Sequence, residues 1–317
     1  MILVTGGLGF IGLNAAQALL DRGETCVLTQ HHSSRNVDYI RDEIGRRVFI
    51  EQMDVADQAA FIEIGKRHKI TGIVHLAGAN LGALDVLEDV RLNLLGLVNV
   101  LQAARAWGVP RVSIASSIGV YDVPDLPLRE DMPLPMVGVQ PIGTVKKTFE
   151  LLSTLVASHT GFEIVNMRFS AIWGPLGRTN SRFFATPRLV HAAVNGEALA
   201  ASSPQPPVYA EDGIDMCFVK DCGRAIALLQ TAQKLRYPTY NVGAGRATSY
   251  REVVAAIKQV IPDAQIALAE GRNPNGPREN PYLDLARLHE DTGYQPAYDI
   301  ERGVADYIGW LRAGNER

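Results

Sequence analysis

The chain has 317 residues, 47% of them hydrophobic, and a formal net charge of −3 at pH 7. That length can bury a substantial core in one large domain or two joined ones, and the slightly acidic balance excludes the basic surface that drives binding to nucleic acid or an anionic membrane. No run of about 18 apolar residues is present to span a bilayer, the opening Met1-Ile2-Leu3-Val4-Thr5 has no secretory pattern, and Cys26, Cys217 and Cys222 lack both metal-ligand spacing and a disulfide framework. These features predict a cytoplasmic protein with buried thiols, no metal and a small-molecule partner.

In chain order, residues 1–4, 25–28, 48–51, 72–76 and 111–115 read as strands, and 11–22, 60–69 and 84–107 have the apolar spacing of helices packed on a sheet. Such alternation implies a parallel sheet covered on both faces. A Pro-rich loop over 124–141 follows, placed to form a substrate rim, then a helix over 142–158 and a strand over 163–169. Beyond Gly174 the pattern is irregular, with a further helix over 223–233. The predicted fold is α/β, a Rossmann-type doubly wound parallel sheet with a smaller C-terminal α+β substrate lobe. Residues 1–169 form the dinucleotide-binding domain, 216–238 return to it, and 170–215 and 239–317 form the lobe.

The first strand runs directly into Thr5-Gly6-Gly7-Leu8-Gly9-Phe10-Ile11-Gly12. Glycines at Gly6, Gly9 and Gly12 permit a tight turn and close approach of a pyrophosphate, which the backbone N–H groups and the positive end of the following helix would meet. At a first β-to-α turn this spacing points to a dinucleotide.

The spacing resembles that of the extended short-chain dehydrogenase/reductase family, in particular its epimerase/dehydratase branch, and the likeness continues along the chain. Asp54-Val55 resembles the family's adenine-contacting pair, and His75-Leu76-Ala77-Gly78 the strand end beside the cofactor. Asn93, Gly96 and Asn99 match the helix that follows. Ser116-Ser117-Ile118-Gly119-Val120-Tyr121, Arg168-Phe169, Ile172, Gly174-Pro175, Phe218-Val219 with Asp221, and Tyr240-Asn241-Val242-Gly243 all fall in family order. The resemblance implies cofactor contacts at Gly6, Gly9, Phe10, Ile11, Gly12, Gln30, Asp54, Val55, Leu76, Ala77, Gly78, Lys146, Phe169 and Ile172. It also implies a homodimer packed through residues 84–107 and 142–158 as a four-helix bundle. At the end of the second strand Gln30 stands where an acidic residue would select NAD, and it can still bond a ribose hydroxyl; Arg35 could accommodate the 2′-phosphate of NADP. NAD is the expected cofactor, with NADP open. His31 and His32 read as solvated loop residues, phosphate contacts or a pH switch.

In the family a tyrosine precedes a lysine by four residues on one helix face, and a strand-end serine polarises the same substrate oxygen. The matching segment here is Pro141-Ile142-Gly143-Thr144-Val145-Lys146, so Ile142 occupies the tyrosine position, and no tyrosine occurs between Tyr121 and Tyr209. Ser117, Lys146, Tyr121 and a bound water are the candidate proton-handling groups, Lys146 either as a ribose contact alone or as a proton-transfer agent, and Ser117 either as a substrate contact or as a hydroxyl capping the backbone. Glu150, one turn beyond Lys146, reads as a solvated or bundle residue.

Where relatives that bind nucleotide-linked sugars carry Arg-Asp and an asparagine, this chain has Ile214-Asp215 and Ser170-Ala171. Loss of the arginine fork predicts a smaller substrate than a nucleotide sugar. Trp173, Phe183 and Phe184 suit either an apolar pocket or the lobe core; Arg178, Arg182 and Arg188 suit solvent or an acidic substrate group. The expected activity is hydride transfer at a small hydroxylated or carbonyl substrate with a non-tyrosine proton relay. Alternatives are a net non-redox lyase or isomerase using transient oxidation, and a catalytically silent dinucleotide-binding regulator.

Overall fold

The computed structural model describes residues 1–31, 38–78, 85–122, 125–138, 140–181, 184–199 and 206–315. His32, Arg35, Arg182 and Phe183 lie outside them. Strands β1 (Ile2–Thr5), β2 (Cys26–Gln30), β3 (Val48–Gln52), β4 (Gly72–His75), β5 (Arg111–Ser117), β6 (Glu163–Phe169) and β9 (Thr239–Val242) form a seven-stranded sheet in the order β3-β2-β1-β4-β5-β6-β9. Every pairing in it is parallel.

Because successive strand residues face opposite sides, Ile2 and Val4 enter one core and Leu3 the other. The first core lies under α1 (Phe10–Asp21) and α6 (Val219–Thr231), the second under α2 (Gln58–Arg67), α3 (Val86–Trp107) and α4 (Pro141–Thr160). A fully buried Leu such as Leu3 or Leu97 contributes about 1.5–3 kcal/mol, which is why these strands read as continuous apolar runs. The helix ends follow local chemistry. Asp85 caps α3 through the Leu87 N–H, Pro141 opens α4 at its first turn, and Gly108 and Gly161 close the two helices in the left-handed conformation.

The smaller lobe pairs β7 (Ala171–Trp173) parallel with β8 (Gly213–Phe218), and β8 antiparallel with β10 (Ala247–Ser249). Helices α5 (Thr186–Asn195), α7 (Tyr250–Val260) and α9 (Ile300–Arg312) enclose its core, and α8 (Ala286–Thr292) packs beside β9 and α6. Two sequence expectations change. Residues 239–242, assigned to the lobe, form β9 and extend the large sheet next to β6, since Tyr240 and Val242 are apolar partners for the first core. The stretch after Gly174, read as irregular, carries α5 and two strands of the small sheet, β8 and β10. All three cysteines are buried, and among the described residues no helix is long and apolar enough to cross a membrane.

Candidate active site

In a parallel sheet all strands end on one edge, and the order reverses between β1 and β4, the crevice where open α/β sheets bind ligands. The glycine turn lies there. Gly6 takes φ +66°, and a Cβ on Gly12 would run into the Gly6 carbonyl oxygen, so α1 starts flush against the turn. Gly9 is the N-cap residue and offers no side-chain cap, which leaves the first N–H groups of α1, at Phe10 and Ile11, available to an anion. The residues present therefore fit the pyrophosphate of a dinucleotide.

The other cofactor candidates converge on this edge. Leu76 N–H donates to the Thr5 carbonyl and Ala77 N–H to Thr5 Oγ1, drawing the Leu76-Ala77-Gly78 segment against the turn. Gln30 ends β2, and Asp54 lies past β3, accepting from Ala56 N–H and facing His31 at 3.6 Å. His31 thus pairs with Asp54. Val55 packs against Gly96 of α3, whose Asn99 donates to the Val55 carbonyl. Phe169 ends β6 opposite Ser117, and Ile172 follows on β7.

Ser117 ends β5 and caps the short turn over Ile118–Val120 by accepting from Gly119 N–H. Ile142 is in the first turn of α4, and Lys146 is one turn further in, with its Nζ 4.6 Å from the centre of the Phe149 ring. Burial pulls the Lys146 amine down from 10.5 to about 8. His75, fully buried and 2.8 Å from Thr5 Oγ1 through Nδ1, is pulled down to about 3, first by burial and then by the Lys146 charge, and so is neutral. Its Nε2 has no hydrogen-bond partner among the described residues.

Tyr121 points elsewhere. Its hydroxyl donates to Asn241 Oδ1 at 2.6 Å, the Arg168 guanidinium lies over its ring, and burial pushes its pKa up to about 12. Sequence reasoning also misplaced Glu150. It is buried, bound to the Arg168 guanidinium at 2.6 Å and to the Ser116 hydroxyl at 2.5 Å, because β5 and β6 bring both partners under α4. The signal was present: Glu150 is four residues after Lys146, hence on the same helix face.

In the lobe, Trp173 is 1% exposed, packed edge-on against Phe218 and near Tyr307, and Phe184 joins the same cluster. These aromatics are lobe core, brought together from β7, β8, α9 and the segment before α5. Arg178 is exposed and Arg188 half-buried on α5. Asp215, beside Ile214, is buried and accepts from the N–H groups of Ala244, Gly245 and Leu283.

This fold and this crevice define a dinucleotide-binding α/β protein of the doubly wound class. Residues 2–243 match the model of the NAD dependent epimerase/dehydratase family, and the chain belongs to that family. It is 29% identical to UDP-glucose 4-epimerase of Mus musculus, over 98% of this chain and 96% of the relative. UDP-N-acetylglucosamine 4-epimerase of Methanobrevibacter ruminantium has a similar structure, with a TM-score of 0.84 at 22% identity over 99% and 98% of the two chains. UDP-glucose 4-epimerase of Bifidobacterium longum, solved with NAD⁺ and UDP, gives 0.81 at 23% over 98% of each.

These end-to-end relatives overturn the expectation of a substrate that is not a nucleotide sugar. Its error was to rest on single side chains at Ile214 and Ser170. A diphosphate is held by many groups, so one missing guanidinium weakens a subsite without removing it, and Asp215, which joins two backbone segments through three N–H groups, is retained.

Proposed function

We propose that the chain is an NAD-dependent enzyme that epimerises or dehydrates the sugar of a nucleotide sugar. The observation that carries this reading is the placement of Ser117 and Lys146 at the cofactor edge of a chain aligned end to end with enzymes of UDP-sugars. NAD, when bound, would supply reversible hydride acceptance at a sugar carbon, so the net reaction would not be redox. The N–H groups at Phe10 and Ile11 would hold the pyrophosphate, Gln30 would bond a ribose hydroxyl, Asp54 and Val55 would flank the adenine, and Leu76 to Gly78, Phe169 and Ile172 would wall the site.

Ile142 stands where the family has its tyrosine, which leaves Ser117 and Lys146 as the groups offered to the reacting hydroxyl. Ser117 polarises its oxygen, and the neutral fraction of Lys146 accepts its proton as the C–H hydride departs, then returns it. Tyr121 is outside this set, because its hydroxyl is committed to Asn241.

We also propose a homodimer through α3 and α4. Val98 is 42% exposed on α3, and Leu151 and Leu155 are 59% and 57% exposed on α4, an apolar stripe that a second copy would bury in a four-helix bundle.

The test is incubation of the purified protein with UDP-glucose, UDP-N-acetylglucosamine and UDP-glucuronate, following products by NMR and the nicotinamide by absorbance. An epimerised or dehydrated sugar formed without net NADH supports the reading. Inertness toward all three, with oxidation of a free alcohol instead, would sink it.

A further inference from the structure

Glu150 follows Lys146 by four residues on α4, so both project from one face of the helix. Its carboxylate accepts from Ser116 Oγ at 2.5 Å and from Arg168 Nε and Nη2 at 2.9 and 2.6 Å, all within the protein interior. Ser116 immediately precedes Ser117 on β5, and Arg168 lies directly opposite Ser116 on β6. On the other side of Lys146, three residues earlier, Gly143 lies so close to Gly119 that a Cβ would strike the Gly119 carbonyl oxygen. Helix α4 is therefore fixed against the end of β5 at two points that bracket Lys146, and both fixing points, Ser116 and Gly119, lie within two residues of Ser117.

A buried ion pair is weak evidence for net stability, since the cost of desolvating both charges offsets most of their attraction; what such a pair can supply is a defined geometry. The carboxylate here joins three elements at once, and none of its three bonds depends on a bound ligand.

We infer that Glu150 is a positioning residue: one buried carboxylate ties the helix carrying Lys146 to the strand end carrying Ser117, and so sets the spacing of the two groups offered to the substrate. This rests on the assignment of Ser117 and Lys146 to the reacting hydroxyl. Around Lys146, His75 of β4 is neutral, the Phe149 ring covers the amine, and Glu150 is engaged by Arg168. Desolvation of the amine lowers the proton affinity of Lys146, and by holding α4 in place the clamp would keep the amine in that setting.

The test uses Ser116→Ala, which removes one hydrogen bond and keeps the ion pair, and Glu150→Gln, which removes the charge. Each variant is first checked for a cooperative thermal transition. Two readouts follow: the pH dependence of acylation of Lys146 by an uncharged amine reagent, quantified on its peptide, and kcat against KM for the nucleotide sugar. Expected are an acylation midpoint moved up from about 8 toward the ordinary 10.5, and a kcat lowered about 100-fold, the cost of a misplacement near 1 Å, with KM within about threefold. Arg168→Lys, which keeps the charge but not the fork, should fall between wild type and Glu150→Gln. A folded Ser116→Ala with the wild-type midpoint and kcat would overturn the inference, and it decides the matter even where Glu150→Gln does not fold. If wild type turns over no nucleotide sugar, the functional proposal fails while the acylation midpoint still judges Glu150.

Discussion

At the scale of single residues, burial of the Lys146 amine carries a cost in stability that depends on pH. Its pKa falls from 10.5 to about 8 on folding, so below pH 8 the amine is charged in both states and the burial penalty is fully present. Between about pH 8 and 10.5 the folded protein gives up this proton first, the unfolded chain binds more, and stability rises with pH; above 10.5 the penalty is gone. Lys146→Met should therefore melt at a higher temperature than wild type at pH 7, with the gap closing by about pH 10, and should lose turnover; calorimetry across that range checks the sign. If Ser117 polarises the reacting oxygen as proposed, Ser117→Ala should drop kcat about 10²–10⁴-fold while the fold is kept and nucleotide remains bound after purification. Ser117 and Lys146 were singled out because their types and order match a family pattern, and their roles remain the proposal these variants test. Glu150 was misread because burial of a carboxylate depends on Arg168 and Ser116, which arrive from strands 18 and 34 residues away along the chain.

At the scale of elements, the phosphate turn works only if α1 begins against it. A methyl group on Gly12 would meet Gly6 and Gly7 backbone atoms rather than a yielding side chain, so Gly12→Ala must push the helix away from the turn. A loss of about 1–3 kcal/mol in stability is expected, as for other overpacked contacts, together with loss of NAD from the purified protein, both readable by thermal melting and nucleotide release. The first-half strands and helices were visible in the sequence because each buries an apolar face with a clear period. β7, β8 and β10 were not, since three- to six-residue strands give too few repeats for a period to show. The α4 helix is also tied to the rim: Lys147 Nζ donates to the carbonyls of Pro135 and Val137 at 2.5 and 3.3 Å. Because that bond is long in sequence only by a loop, Lys147→Met should raise the rate of proteolytic cleavage near Pro135 without unfolding the sheet.

At the scale of the molecule, Val98 of α3 and Leu151 and Leu155 of α4 are exposed apolar side chains on the two helices proposed to pair. Leu151→Arg with Leu155→Arg places two charges where a second copy would pack, so sedimentation should show a shift to monomer with little change in melting of the monomeric fold. A wild type that sediments as a monomer at every concentration would remove the dimer proposal. The same scale corrected the domain boundary: β9 lies beyond the first lobe segment in sequence, yet the free edge of β6 offers a full ladder of backbone partners and β9 takes it.

The sequence by itself determined the parallel sheet, the phosphate turn and the isoleucine at position 142, because each rests on local periodicity or on residue identity at a fixed spacing. Tertiary structure alone decided that Tyr121 is held by Asn241, that Trp173 is core, and that Glu150 joins α4 to β5 and β6. Those outcomes depend on which distant groups exclude water from a side chain and which donors meet it there, and neither is encoded within a window of neighbouring residues.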